Sequence, residues 1–351
     1  MKKKLISLLI ATTLTLSLTA CGSSSETAAS KEDNSSVVEV GPGNESKAAD
    51  KAEAAAVEEP ETDDKAASEE DRIYGLGDVW SVKDKFSLVI TGVKETEERN
   101  SYADEDPAAV YIVDYMYTND GIVDSVTNGL YIAVDDMIVD ADGEMGYTYY
   151  NSIDRYACDA PVGTLCRAQE DIGVNNPGEF TLKVRVWDEN YDCYQADFVL
   201  NPDEEPVEVT LESTAKQTDE VLTIGDTWTV DDQWKLTVTG VTEVEERNEF
   251  TDYTPAAVYR VDYTYENLGY TSSYSDGLFI NLDDLIVDVN NEIGYGYPLT
   301  VSSNPKETPI GAKCKAQTMI GVDHPGTFRI YFHKYDGEDV AQRQVFEIPV
   351  K

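Results

Sequence analysis

Residues 106–121 read DPAAVYIVDYMYTNDG, and residues 254–269 read TPAAVYRVDYTYENLG, the same phrase 148 positions later. Two copies in one chain act as a substitution experiment, in which a constrained position stays fixed and a free one drifts. Taken as a strand, the first copy puts Ala109, Tyr111, Val113, Tyr115 and Tyr117 on one face. The second keeps that face unchanged as Ala257, Tyr259, Val261, Tyr263 and Tyr265. That face is expected to be core. On the other, Ile112 becomes Arg260, Met116 becomes Thr264 and Thr118 becomes Glu266, a drift toward polarity that predicts a solvent-facing side.

The offset holds without insertion or deletion between residues 77–202 and 225–350. Trp80 and Val82, Phe86, Leu88 and Ile90, the 106–121 phrase, Leu130, Ile132 and Val134, the run from Cys166 to Val174, Phe180, Leu182 and Val184, and Phe198 with Leu200 mark seven alternating segments. No window sustains a 3.6-residue period, and Gly, Pro, Asn and Asp fill the gaps. The pattern predicts an all-β chain of two tandem immunoglobulin-like antiparallel β-sandwiches, with a barrel as the other topology. The expected layout is a signal peptide at 1–20, an acidic tether at 21–72, sandwich repeats at 73–202 and 223–351, and a polar linker at 203–222. Within that linker Val207, Val209 and Leu211 could pair briefly.

The N-terminus carries an address. Lys2, Lys3 and Lys4 precede an apolar run from Leu5 to Thr19 that is too short to span a bilayer as a stable helix. The run ends Leu18, Thr19, Ala20, Cys21, Gly22, which resembles the lipobox of bacterial lipoproteins. The resemblance implies that Cys21 is lipidated, becomes the mature N-terminus and holds the chain at the extracytoplasmic face of the cell membrane. The stretch that follows is Ala, Glu, Asp, Ser and Lys with few apolar residues. It cannot bury a core, and as a coil of about fifty residues it would reach roughly 40 Å.

With 27 Lys and Arg against 68 Asp and Glu the net charge is −41, which repels phosphate backbones and excludes nucleic acid as a natural partner. The two histidines, His324 and His333, both lie in the second repeat, so no His-based triad or zinc site can be common to the copies. The acids are so abundant that a hydrolytic carboxylate pair can be imagined anywhere, and none is singled out. Asp140, Asp142, Gly143 and Glu144 look like the start of a calcium loop, but neither copy has the required ligand frame. A tight turn is the simpler reading. No catalytic residue, metal ligand or cofactor is expected.

Cysteine usage differs between the repeats. Cys166 and Cys314 correspond, whereas Cys158 and Cys193 face Lys306 and Ala341 in the second copy. Their joint absence suggests a Cys158–Cys193 disulfide, worth roughly 3 to 4 kcal/mol for a loop of that length in the entropic model. Two loops are candidates for binding. Glu97, Glu98, Arg99 and Asn100 recur as Glu245, Glu246, Arg247 and Asn248, where an ion pair holding the loop is the simplest account. The second loop, Asp142 to Pro161, carries Tyr147, Tyr149, Tyr150 and Tyr156, with Tyr295 and Tyr297 in the other copy. These tyrosines could stack on sugars or contact proteins, or fold back as core plugs.

The start Gly77, Asp78, Trp80, Val82, the Thr91, Gly92, Val93 strand end, the VDY strand with its trailing Asn119 and Gly121, and Pro177, Gly178, Phe180 resemble a known group. It is the immunoglobulin-like domains of extracytoplasmic lipoproteins from Gram-positive bacteria, many of unknown function. The resemblance implies a binding or spacer role outside the cell and brings no catalysis with it. The expectation is a non-enzymatic, membrane-anchored lipoprotein whose two modules contact cell-wall polymer or another surface protein. A structural spacer or accessory subunit is the alternative, and a wall-polymer hydrolase the least supported one.

Overall fold

In a computed structural model, residues 72–123, 129–151, 153–216, 218, 220–251, 253–283 and 285–350 are described. The signal peptide, Cys21 and the acidic stretch up to residue 71 lie outside them. The described chain is all-β, with no helix. The first repeat folds as β1 (Ile73–Tyr74), β2 (Val79–Val82), β3 (Phe86–Thr96), β4 (Ala109–Asn119), β5 (Ile138–Val139), β6 (Tyr147–Thr148), β7 (Leu165–Val174), β8 (Phe180–Trp187) and β9 (Cys193–Leu200). The second answers with β10 (Val221–Thr223), β11 (Thr227–Val230), β12 (Trp234–Val244), β13 (Ala257–Asn267), β14 (Ile286–Val287), β15 (Ile293–Gly296), β16 (Lys313–Val322), β17 (Phe328–Tyr335) and β18 (Ala341–Ile348).

The two repeats are tandem β-sandwiches built of largely antiparallel sheets. In the first, a sheet ordered β1-β9-β8-β5 faces one ordered β2-β3-β4-β7-β6. In the second, β14 pairs with both β17 and β15, and β15 pairs with β16, so the corresponding sheets join into one nine-stranded sheet. All named pairings are antiparallel except β1 with β9 and β10 with β18. Even irregularity is duplicated: the β3–β4 register slips between Ile90 and Gly92, and β12–β13 between Val238 and Gly240. The extra residue bonds back to its partner strand, Thr91 Oγ1 to Asp114 O at 3.2 Å and Thr239 Oγ1 to Asp262 O at 3.0 Å.

The face that does not vary between copies is the core face, with Tyr111, Tyr115, Tyr117, Tyr259, Tyr263 and Tyr265 all at most 1% exposed. Tyr111 stacks on Phe180 across the sandwich at 5.3 Å, and Tyr259 on Phe328 at 5.4 Å. Tyrosine is needed rather than phenylalanine because each hydroxyl holds irregular backbone. Tyr115 donates to Ile132 O and Tyr263 to Ile280 O, both at 3.0 Å. Tyr117 donates to Cys158 O and accepts from Cys158 N, as Tyr265 does with Lys306. One of these bonds revises the strand count. Residues 130–134 alternate buried and exposed as expected, yet they form no strand, only an isolated Leu130–Ala160 bridge. A core tyrosine takes the Ile132 carbonyl that a sheet neighbour would need.

The outer face of β3, β4 and β7 corrects a second expectation. In the first repeat Met116 is 2% exposed and Thr118 fully buried, because the linker lies across them. Val207 N bonds to Thr91 O at 2.8 Å, Leu211 packs with Val89, Met116 and Leu165, and Ser213 Oγ reaches Asn119 O and Asp120 Oδ1. The linker is a strap. At the matching positions of the second repeat, Val79, Val89, Met116 and Leu165 become Thr227, Thr237, Thr264 and Lys313, which face solvent wholly or in part. Apolar side chains thus occur where a strap covers them, and polar ones where, among the described residues, none does.

The strap delivers the second sandwich onto the first. Leu165 N bonds to Asn291 O at 2.8 Å, Arg167 Nε to Glu292 Oε1 at 2.7 Å, and Arg155 Nη2 to Asp323 Oδ2 at 2.7 Å. Leu285, Val287, Ile293, Tyr331 and Val345 of the second repeat continue the apolar cluster of the first. Asp288 closes the β14–β15 turn by accepting from Asn290 N, Glu292 N and His324, and so sets Glu292 against Arg167.

Candidate functional site

Both sandwiches build the same device at the end where β3 meets β4 and β12 meets β13. After Thr96 the chain leaves the sheet, and Arg99 folds back so that Nη1 donates to Thr96 O at 2.6 Å and Glu98 O at 2.9 Å. Arg247 does the same to Val244 O and Glu246 O. The expected ion pair is replaced by backbone carbonyls, which need a donor where the strand has ended. Asn100 is the hinge pin. Its N–H donates to the Tyr149 hydroxyl at 2.8 Å, its Nδ2 to Tyr150 O at 2.6 Å, and its Oδ1 accepts from Tyr102 N at 2.9 Å. Asn248 repeats all three with the Tyr297 hydroxyl, Pro298 O and Phe250 N.

The turn closed by that asparagine displays an aromatic ring: Tyr102 is 93% exposed and Phe250 89% exposed. An aromatic ring therefore stands in water at the same position in both copies, on a turn pinned by an asparagine. Sequence reasoning missed it by stopping at the Glu-Glu-Arg-Asn phrase, although an aromatic two residues further on in both copies was a legible signal.

The predicted tyrosines divide by role. Tyr149 and Tyr297 are buried locks for the display loop, at 2% and 5% exposure, and Tyr150 is exposed beside it. Tyr147 is half-buried over Gly173, where a Cβ would stand 2.7 Å from its ring. Tyr295 faces the first sandwich instead, donating to Arg167 O at 2.8 Å. Cys158 and Cys193 are not brought together. Cys158 Sγ lies 3.6 Å from Cys166 Sγ, and Cys193 is exposed at the start of β9. The calcium-like segment is a capped turn, with Asp140 accepting from Asp142 N, Glu144 N and both Asn176 nitrogens. Among the described residues no three His, Cys, Asp or Glu side chains form a metal-holding group.

Compared with protein-family models and with curated proteins, the chain matches none. The geometry of the loops therefore carries the functional reading.

Two adjacent carboxyls of β7 are unusual. Glu170 stands in the inward register of β7 between Ala168 and Ile172, where the second repeat has Thr318. Burial, then repulsion from Asp135 and Asp171, pushes it up to about 7. Burial raises Asp171 to about 6, with the Asn151 N–H opposing and Glu98 assisting. Both acids hold protons in the folded state at a pH where the unfolded chain has released them. Stability from this pair is therefore highest near the unfolded carboxyl range and falls as pH rises through 6 and 7. The urea midpoint is expected to drop between about pH 5 and pH 8, and Glu170→Gln to flatten most of that drop. An equally steep profile in the variant would remove Glu170 as the cause.

Proposed function

We propose that the protein is a non-enzymatic, membrane-anchored extracytoplasmic lipoprotein whose two sandwiches are binding modules for cell-wall polymer or another surface protein. The observation that carries this reading is the duplicated display loop, with Tyr102 and Phe250 held in solvent by Asn100 and Asn248. Flat rings supply contact area at low entropic cost and stack on sugar faces or fill shallow protein pockets. The anchor rests on the lipobox-like residues ending at Cys21, and fatty-acid labelling that survives Cys21→Ser would remove it.

The binding test uses the chain without residues 1–20, sedimented with purified wall polymer and, separately, captured on surface extract. Replacing Tyr102 and Phe250 together by alanine is expected to weaken retention at least about tenfold, as central aromatic contacts do, without altering thermal stability. Unchanged retention on both targets would count against the loops. A second reading, a rigid spacer or accessory subunit, draws support from the strap and the Arg167–Glu292 contact that fix one sandwich on the other. A spacer would lose nothing in the double variant.

A further inference from the structure

We propose that Cys158 and Cys166 are a redox pair that closes to a disulfide on meeting a small-molecule disulfide, stapling the 154–164 segment to β7 beneath the second sandwich. The sulfurs are already in contact at 3.6 Å, so bond formation requires each to move by less than about 1 Å. Their backbones are fixed in advance. Cys166 sits in the β4–β7 ladder opposite Tyr117. The Tyr117 hydroxyl grips both the N–H and the carbonyl of Cys158. Above them Tyr295 of the second sandwich bonds to Arg167 O, beside Cys166.

The chemistry divides between the two sulfurs. Burial opposes ionisation of Cys166, but hydrogen bonding, first from the Cys158 thiol, outweighs it and lowers its pKa. Cys158 is pushed well up, first by its hydrogen bond to Cys166 and then by burial. Cys158 is the partly exposed member, whereas Cys166 is buried, so a reagent reaches Cys158 first. An incoming disulfide therefore exchanges at Cys158. The Cys158 proton passes by way of the Cys166 sulfur to the departing half of the reagent, which leaves as a thiol, while the Cys158 sulfur bonds to the other half. The Cys166 thiolate then attacks the Cys158 sulfur and expels the second half as a thiol, so two protein thiols are oxidised and one reagent disulfide is reduced. Cys314 has Lys306 where a partner would stand and cannot take part in an equivalent pair.

The pair falls within one tryptic peptide, residues 156–167, while Cys193 lies in another. The full chain is treated with oxidised glutathione under native conditions, its remaining thiols are alkylated after unfolding, and it is digested without reduction. The expected product is peptide 156–167 lacking two hydrogens and carrying no alkyl group, and the same product from Cys193→Ser. Three results would overturn the proposal: a doubly alkylated peptide, a glutathione adduct persisting on Cys158, or a cross-link from Cys158 to the Cys193 peptide.

Discussion

Asn119→Ala is expected to destabilise the first sandwich by about 3 kcal/mol, more than the matching Asn267→Ala destabilises the second. Asn119 is fully buried at the end of β4, and its side chain makes four hydrogen bonds, all to backbone. Nδ2 donates to Ile122 O at 2.7 Å and Ala160 O at 2.8 Å, and Oδ1 accepts from Gly121 N at 3.0 Å and Ile122 N at 2.8 Å. Removing the amide strands buried groups in two separate segments, and each costs about 1 kcal/mol or more unless water enters. Gly121 leaves little room for rearrangement, since a Cβ there would stand 2.3 Å from Asp84 O. Asn267 keeps the donor half, to Tyr270 O and Thr308 O, but among the described residues no donor reaches its Oδ1. Gly269 N and Tyr270 N share Gln233 O instead. Urea unfolding of the two variants measures the difference. An effect of Asn267→Ala equal to or above that of Asn119→Ala would defeat the argument.

Asn119 and Gly121 also show what the sequence makes legible. A repeat preserves what each sandwich needs internally, so the core face of β4, the asparagine at its end and the glycine beyond it stand out as residues shared with β13. What a repeat hides is whatever one copy does and the other does not. The polar drift from Val79, Val89, Met116 and Leu165 to Thr227, Thr237, Thr264 and Lys313 looks like the relaxation of a solvent face, when it records a strap that, among the described residues, covers one sandwich alone. Shared absence misled in the same way: Cys158 and Cys193 are missing together from the second copy, yet Cys158 rests on Cys166, which is not missing at all. Residues 130–134 alternate like a strand, but alternation reports burial and not hydrogen-bonding partners. Here a tyrosine hydroxyl takes the place of a neighbouring strand. At the display loops the Glu-Glu-Arg-Asn phrase was legible as a constraint, while its purpose, closing a turn under an exposed ring, needed the hydrogen bonds to be seen.

The strap gives the other large expectation. Leu211→Asp should detach it from the sheet while leaving both sandwiches folded. Leu211 is 9% exposed, seated among Val89, Met116 and Leu165 with Val79 and Val209 alongside. Losing that burial and placing a carboxylate on apolar side chains costs about 3 kcal/mol. The core between the sheets does not depend on the strap, so the cost is met by local opening rather than by global unfolding. The Val207 amide, bonded to Thr91 O, reports this directly. Its hydrogen exchange should accelerate on the order of 100-fold, with core amides of β13 unchanged. Met116→Thr, the residue already present at the matching position of the second repeat, supplies the control. In that background the strap has already lost part of its seat, so adding Leu211→Asp should cost less than it does alone, as coupled neighbours do. Full protection at Val207 in Leu211→Asp, or strict additivity with Met116→Thr, would mean that the strap is held by something other than this apolar face. The four apolar-to-polar differences between the repeats would then lose their explanation.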